Sequence, residues 1–159
     1  MKTVSINEIK KELIELEPKV LAELCLSLAK YKKDNKEFLS YLLFESHNKA
    51  GFIATIKAEI DTQFSEITHV NLYFAKKNLR KILRLTNKYI KYIGCKETEV
   101  ELLIYFCKQV KQSGIDVARS TALINLYATQ VKKINTAVSK LHEDIQYDFK
   151  NEIEMLSSF

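Results

Sequence analysis

Glu66 and His69 stand three residues apart. That spacing puts a carboxylate and an imidazole on one helix face, and helical di-iron proteins use two such pairs with two further carboxylates. Only one such pair occurs here, where the hydrophobic pattern predicts a helix end, and neither His47 nor His142 has a Glu three residues before it. A capping or surface histidine is the better reading. His142, Glu143, Asp144 and Asp148 form a second polar group. Asp144 and Asp148 share a helical face, which would suit a general base or a cation. Carboxylates every few positions are, however, the usual mark of a solvated face. Three cysteines, Cys25, Cys95 and Cys107, lack C-x-x-C spacing and lie in or beside apolar runs. They read as buried, inert thiols in a reducing compartment rather than as disulfides, zinc ligands or a nucleophile. No two glycines are close enough for a phosphate-binding loop. No catalytic, metal or cofactor site is therefore assigned.

The segment between Glu66 and Glu97 contains no acidic residue and eight cations. The net charge of +5 thus leaves the rest of the chain at −3. At about 100° per residue, Lys76, Lys77, Arg80, Lys81, Arg84, Lys88 and Lys91 share one arc of a helix of about 140°. Ala75, Leu79, Ile82, Leu83, Ile90 and Ile93 lie opposite, and only Tyr73 falls among the cations. This is a basic stripe about 22 Å long, and Tyr89 and Tyr92 flank it. It can meet several phosphates of a nucleic acid, or an acidic protein surface. It can also face the five carboxylates of residues 141–159, or simply water.

The elements that would position these residues are helices. Only three Gly and one Pro punctuate 159 residues, too few for the turns of a sheet-rich fold. Apolar residues at three-to-four spacing predict helices over residues 6–16, 19–32, 35–46, 52–67, 71–93 and 98–112. Three S/T/D-x-x-E capping boxes, at Ser5–Glu8, Asp34–Glu37 and Thr98–Glu101, would open the first, third and sixth. Residues 47–51 read as a link. Gly94 and Gly114 read as helix stops. The run Phe38-Leu39-Ser40-Tyr41-Leu42-Leu43-Phe44 is apolar on nearly every face, which predicts deep burial. Residues 120–157 form one amphipathic pattern, as one helix or as two with a break at 141–144. Its apolar seam offers a homodimer contact or part of a core. An echo between residues 30–44 and 91–106, offset by about 61, suggests two stacked helical units. The expectation is a single all-α domain over residues 1–159. Its architecture would be an antiparallel helical bundle or short α-α superhelix of seven to eight helices.

The balance of 47% apolar and 28% charged residues excludes a disordered chain. There is no signal-peptide pattern and no 18-residue apolar run, so the expected location is cytoplasmic, without a membrane partner.

Several segments carry a resemblance: Ile9-Lys10-Lys11-Glu12-Leu13-Ile14-Glu15-Leu16, Lys36-Glu37-Phe38-Leu39, Ala75-Lys76-Lys77, and Glu101-Leu102-Leu103-Ile104-Tyr105-Phe106. Their order over about residues 5–145 is similar to a family of small bacterial helical proteins catalogued as a domain of unknown function. The resemblance implies a helical fold and no enzyme signature. The functional expectation is a non-enzymatic interaction or scaffold protein. A protein partner or homodimer is expected ahead of nucleic acid, and no cofactor or small-molecule ligand is implied. The alternatives are a nucleic-acid binder using the seven-residue stripe and a helical metal protein or enzyme around Glu66 and His69.

Overall fold

The computed structural model describes residues 2–67 and 71–156, and every regular element among them is helical. His69 lies outside the described residues. Where the sequence reads as one domain, the internal contacts fall into two compact units, Met1–His47 and Asn48–Phe159.

The first unit opens with α1 (Ile6–Ile14), set by the capping box read from the sequence. Ser5 Oγ accepts from the Glu8 N–H at 3.3 Å and Glu8 Oε2 accepts from the Ser5 N–H at 2.7 Å. α2 (Pro18–Tyr31) begins on its proline, whose missing N–H costs nothing in a first turn. α3 (Lys33–Ser40) starts one residue before Asp34, with extended Lys32 as its cap and no side-chain cap bond. The expected Asp34–Glu37 box is therefore absent. Asn35 Nδ2 instead donates to the Leu28 carbonyl at 2.9 Å and ties α3 to the last turn of α2. A π-turn at Tyr41–Glu45 and a 3-10 turn at Ser46–Asn48 follow, so the expected link at residues 47–51 is largely helical.

The predicted burial of the 38–44 run is corrected. Tyr41 is buried, but Leu43 and Phe44 are 63% and 66% exposed. A run that is apolar all round is buried only when neighbours surround it, and this unit supplies two other short helices.

The second unit holds α4 (Lys49–Ser65), α5 (Leu72–Ile93), α6 (Lys96–Gln112), α7 (Thr121–Val138) and α8 (Glu143–Leu156). Asn48 Oδ1 caps α4 through the Gly51 N–H at 3.0 Å, and Asn71 Oδ1 caps α5 through the Tyr73 N–H at 2.8 Å. Gly94 ends α5 at φ 65, a left-handed angle that costs a residue with a Cβ about 1–2 kcal/mol. α6 then starts at once from Cys95, which leaves Thr98 buried inside the helix rather than capping it. The 141–144 break is real: α7 ends at Val138 and α8 begins at Glu143. Leu123, Tyr127, Ile134, Val138 and Leu156 of the C-terminal seam are buried in the core of this unit.

Four contacts fix the arrangement. Lys57 Nζ donates to Glu101 Oε1 at 2.7 Å, and the Tyr105 hydroxyl donates to Asp61 at 2.7 Å. Lys108 pairs with Glu152, and Lys111 Nζ donates to the Met155 carbonyl at 2.6 Å. In all four the partners are 44 residues apart. A constant sequence offset means parallel helices, so α4, α6 and α8 run side by side in the same direction. α5 must then return from the end of α4 to the start of α6, and α7 from the end of α6 to the start of α8. Both are antiparallel to the row they cover. Lys96 and Glu99 border one groove with α5 and another with α7, which places α5 and α7 on the same side of α6. This is the two-layer pattern of an α-α superhelix, with a repeat of 44 rather than the 61 suggested by the sequence echo.

α6 is the most buried helix: Val100, Leu102, Leu103, Ile104, Phe106, Cys107 and Val110 lose essentially all exposure. Phe106→Ala is expected to destabilise the chain by about 3–5 kcal/mol, and Leu43→Ala by no more than about 0.5 kcal/mol. Urea unfolding followed by circular dichroism distinguishes these outcomes.

Candidate functional site

The cations of α5 lie on its outer face because Ala75, Leu79, Ile82 and Thr86 hold the opposite side in the core. Lys77, Arg80, Lys81, Arg84 and Lys91 are exposed, and Lys76 and Lys88 are half-buried. No salt bridge among the described residues engages Lys76, Lys77, Arg80, Lys81, Arg84 or Lys91. The Arg84 Nε–H donates to the Arg80 carbonyl at 3.3 Å, which leans its guanidinium along the helix. Aromatic rings mark both ends. Lys76 lies 6.0 Å from the Tyr73 ring, and Tyr73 and Phe74 are exposed in edge contact. Lys88 sits 5.0 Å from the Tyr89 ring and 6.0 Å from Tyr92. Tyr89 also donates its hydroxyl to Glu59 at 3.0 Å, so it belongs to the α4–α5 seam as well.

The acidic C-terminal segment does not neutralise this stripe with Glu152, whose partner is Lys108 on α6. α8 packs against α6 and α7.

Sequence reasoning missed the extension of the basic face. α7 also contains cations, Lys132 and Lys133, and no carboxylate. Together α5 and α7 carry nine cations and no acid, whereas α4, α6 and α8 carry six lysines and ten carboxylates. The two layers are therefore of opposite charge. Lys91, Lys96, Lys132, Lys133 and Lys140 line two adjoining grooves of about 300 Å³ and 280 Å³ that meet at Lys96 and Glu99. Lys96 Nζ bonds Glu99 at 2.5 Å. The signal in the sequence was the second acid-free interval, between Asp116 and Glu143. Its cations are too sparse to draw attention until the fold sets them in a groove that adjoins the end of α5 at Lys96 and Glu99.

The other sequence-level candidates separate. Glu66 is exposed at the end of α4. His142 Nδ1 lies 3.4 Å from Asp144 Oδ2 with both side chains largely in water, and Asp148 is exposed. Among the described residues no group of three or more His, Cys, Asp or Glu is placed to hold a metal ion. No described helix is long and apolar enough to cross a membrane. A further groove of about 740 Å³ opens along α7 beside Val117, Ile124, Ala128, Val131 and Leu156, with Lys132 at its rim.

The cysteines correct the sequence reading. Cys107 is buried, and desolvation pushes its thiol up to about 12. Cys25 is exposed and Cys95 is half-buried at the start of α6. Lys49 Nζ stands 3.1 Å from Cys95 Sγ. Burial alone would raise the Cys95 thiol. The Thr98 N–H of the first helical turn and the Lys49 ammonium outweigh it and hold the thiol below its ordinary value. The same pairing raises Lys49.

Comparison with protein-family models, curated proteins and solved structures finds no match.

Because its folded pKa is depressed, Cys95 is expected to alkylate with iodoacetamide at a lower pH midpoint than an ordinary thiol. Lys49→Met should move that midpoint upward, while Cys107 stays unmodified in the folded chain. Peptide mass spectrometry across a pH series measures all three.

Proposed function

We infer that this chain is a non-enzymatic binding protein whose α5–α7 layer engages the phosphate backbone of a nucleic acid. The observation that carries this reading is the division of charge between the layers, with nine cations and no carboxylate on one of them. Like charges at i and i+4 on a helix cost a few tenths of a kcal/mol per pair, and Lys76, Arg80, Arg84 and Lys88 form three such pairs in a row. A helix serving solubility alone would mix signs. Uniform repulsion gains its return when a polyanion displaces its counterions and sits along the row.

Nucleic acid fits better than an acidic protein for two reasons. The cations recur about every 6 Å along the helix axis, a regular row that suits a regularly charged partner. Arginine forks suit phosphate, and exposed Tyr73 and Phe74 beside Lys76 supply a surface on which an unpaired base can stack.

Fluorescence anisotropy with single- and double-stranded oligonucleotides tests this. Affinity is expected to fall steeply with salt, with a logarithmic slope corresponding to roughly four to seven phosphates. Arg80→Glu with Arg84→Glu should weaken binding about tenfold or more, and Lys132→Glu with Lys133→Glu should weaken it too. Lys150→Glu, on the acidic layer, should leave it unchanged. No binding at low salt sinks the reading. Binding of acidic polypeptide but not of DNA or RNA would assign the layer to a protein partner instead.

A further inference from the structure

The first unit lacks a core. Its 47 residues bury one side chain, Tyr41, among those described. It supplies fourteen of the nineteen large apolar side chains exposed among the described residues. Its one cysteine, Cys25, is free. A helical unit close to the ~40-residue lower limit, without a disulfide or metal, gains stability by association.

α2 presents the most regular of these surfaces. Val20, Leu24, Leu28 and Tyr31 follow one another at steps of four, four and three, which makes a continuous ridge. Exposure along it rises from 40% at Val20 to 86% at Tyr31. The charges flanking it are polarised. Glu15 and Glu17 lie at the N-terminal end, and Lys30 and Lys32 at the C-terminal end, where Lys33 is paired with Glu37 at 3.7 Å. Lys19 and Asp34 oppose this only in part. The unit as a whole is neutral, with eight lysines and eight carboxylates.

We propose that α2 is the dimerisation element of this chain, packing antiparallel on α2 of a second copy across a two-fold axis near Leu24. In that pairing Val20 meets the partner copy's Leu28, and Leu24 meets its own symmetry mate. Glu15 and Glu17 fall opposite the lysines around Tyr31, twice over by symmetry. The helix dipoles oppose as well. A parallel pairing would stack like charges at both ends. One patch therefore supplies the ridge, the surface it packs on and both poles of charge, which is what a two-fold contact requires. A neutral unit also lets two copies approach without the repulsion that the +5 chain would otherwise feel. A contact made through one helix of each copy is expected to fall below the ~800 Å² per partner of a standard interface, with a dissociation constant on the order of micromolar.

The test is sedimentation of the full chain over a range up to about 100 µM. Wild type is expected to shift from monomer to dimer, and Leu24→Glu with Leu28→Glu to remain monomeric with an unchanged helical circular dichroism spectrum. Charge reversals settle the orientation without disturbing the ridge. Glu15→Lys with Glu17→Lys should weaken the dimer by about tenfold, as should Lys30→Glu with Lys32→Glu, and the four together should restore it. A chain that stays monomeric throughout overturns the proposal, including a monomer in which Leu24 and Leu28 are protected from radical footprinting by the rest of the chain. So does a dimer indifferent to the Leu24 and Leu28 changes, or a four-fold variant weaker than either pair.

Discussion

Burial of α6 over more than half of its circumference is the constraint from which the second unit follows. Phe106, Leu102, Leu103, Ile104 and Val100 spread over about 200° of the helix and are all but inaccessible, while Glu101, Tyr105 and Lys108 keep the remaining face half exposed. Leaving any one of them wet would forfeit on the order of 1.5–3 kcal/mol. The chain therefore needs neighbours on each flank and above. α4 and α8 fill the flanks, held in register by Lys57–Glu101, Tyr105–Asp61 and Lys108–Glu152. These pairs are half exposed, so each contributes modestly to stability. Their value lies in fixing which turn of one helix meets which turn of the next.

Once that row exists, α5 and α7 have only a stripe to bury. Ala75, Leu79 and Ile82 on α5, and Leu123, Tyr127 and Ile134 on α7, meet the row. The remaining faces of both helices are free of structural duty. Three carboxylates of the row, Asp61, Glu101 and Glu152, are engaged in its cross-helix pairs, and the cations gather on the other layer. Charge segregation is thus permitted by the architecture but not required by it, because nothing in the core depends on Arg80 or Arg84. That is the physical reason to read it as a surface kept for a partner.

The first unit shows the opposite situation. Its helices are well formed locally, with the Ser5–Glu8 box and the Asn35 bond closing their ends, yet they do not surround anything. Helices form here where burial does not follow. Cys95 makes a similar point on a smaller scale: flanking apolar residues suggested an inert thiol, and a lysine 46 positions earlier in the chain changes its chemistry.

Helix existence, the stops at Gly94 and Gly114 and the basic face of α5 were legible in the sequence, because each depends on residues within a few turns of one another. Periodicity of 3.6 and the scarcity of Gly and Pro determine them before any long-range contact forms. The caps at Asp34 and Thr98 misled because several residues near a helix start can serve, and packing of the following helix selects among them. The 44-residue register, the burial of α6 rather than of residues 38–44, and the groove that brings Lys132 and Lys133 next to the Lys91 end of α5 belong to the tertiary structure. Each depends on which helices become neighbours, and apolar composition does not encode its own surroundings.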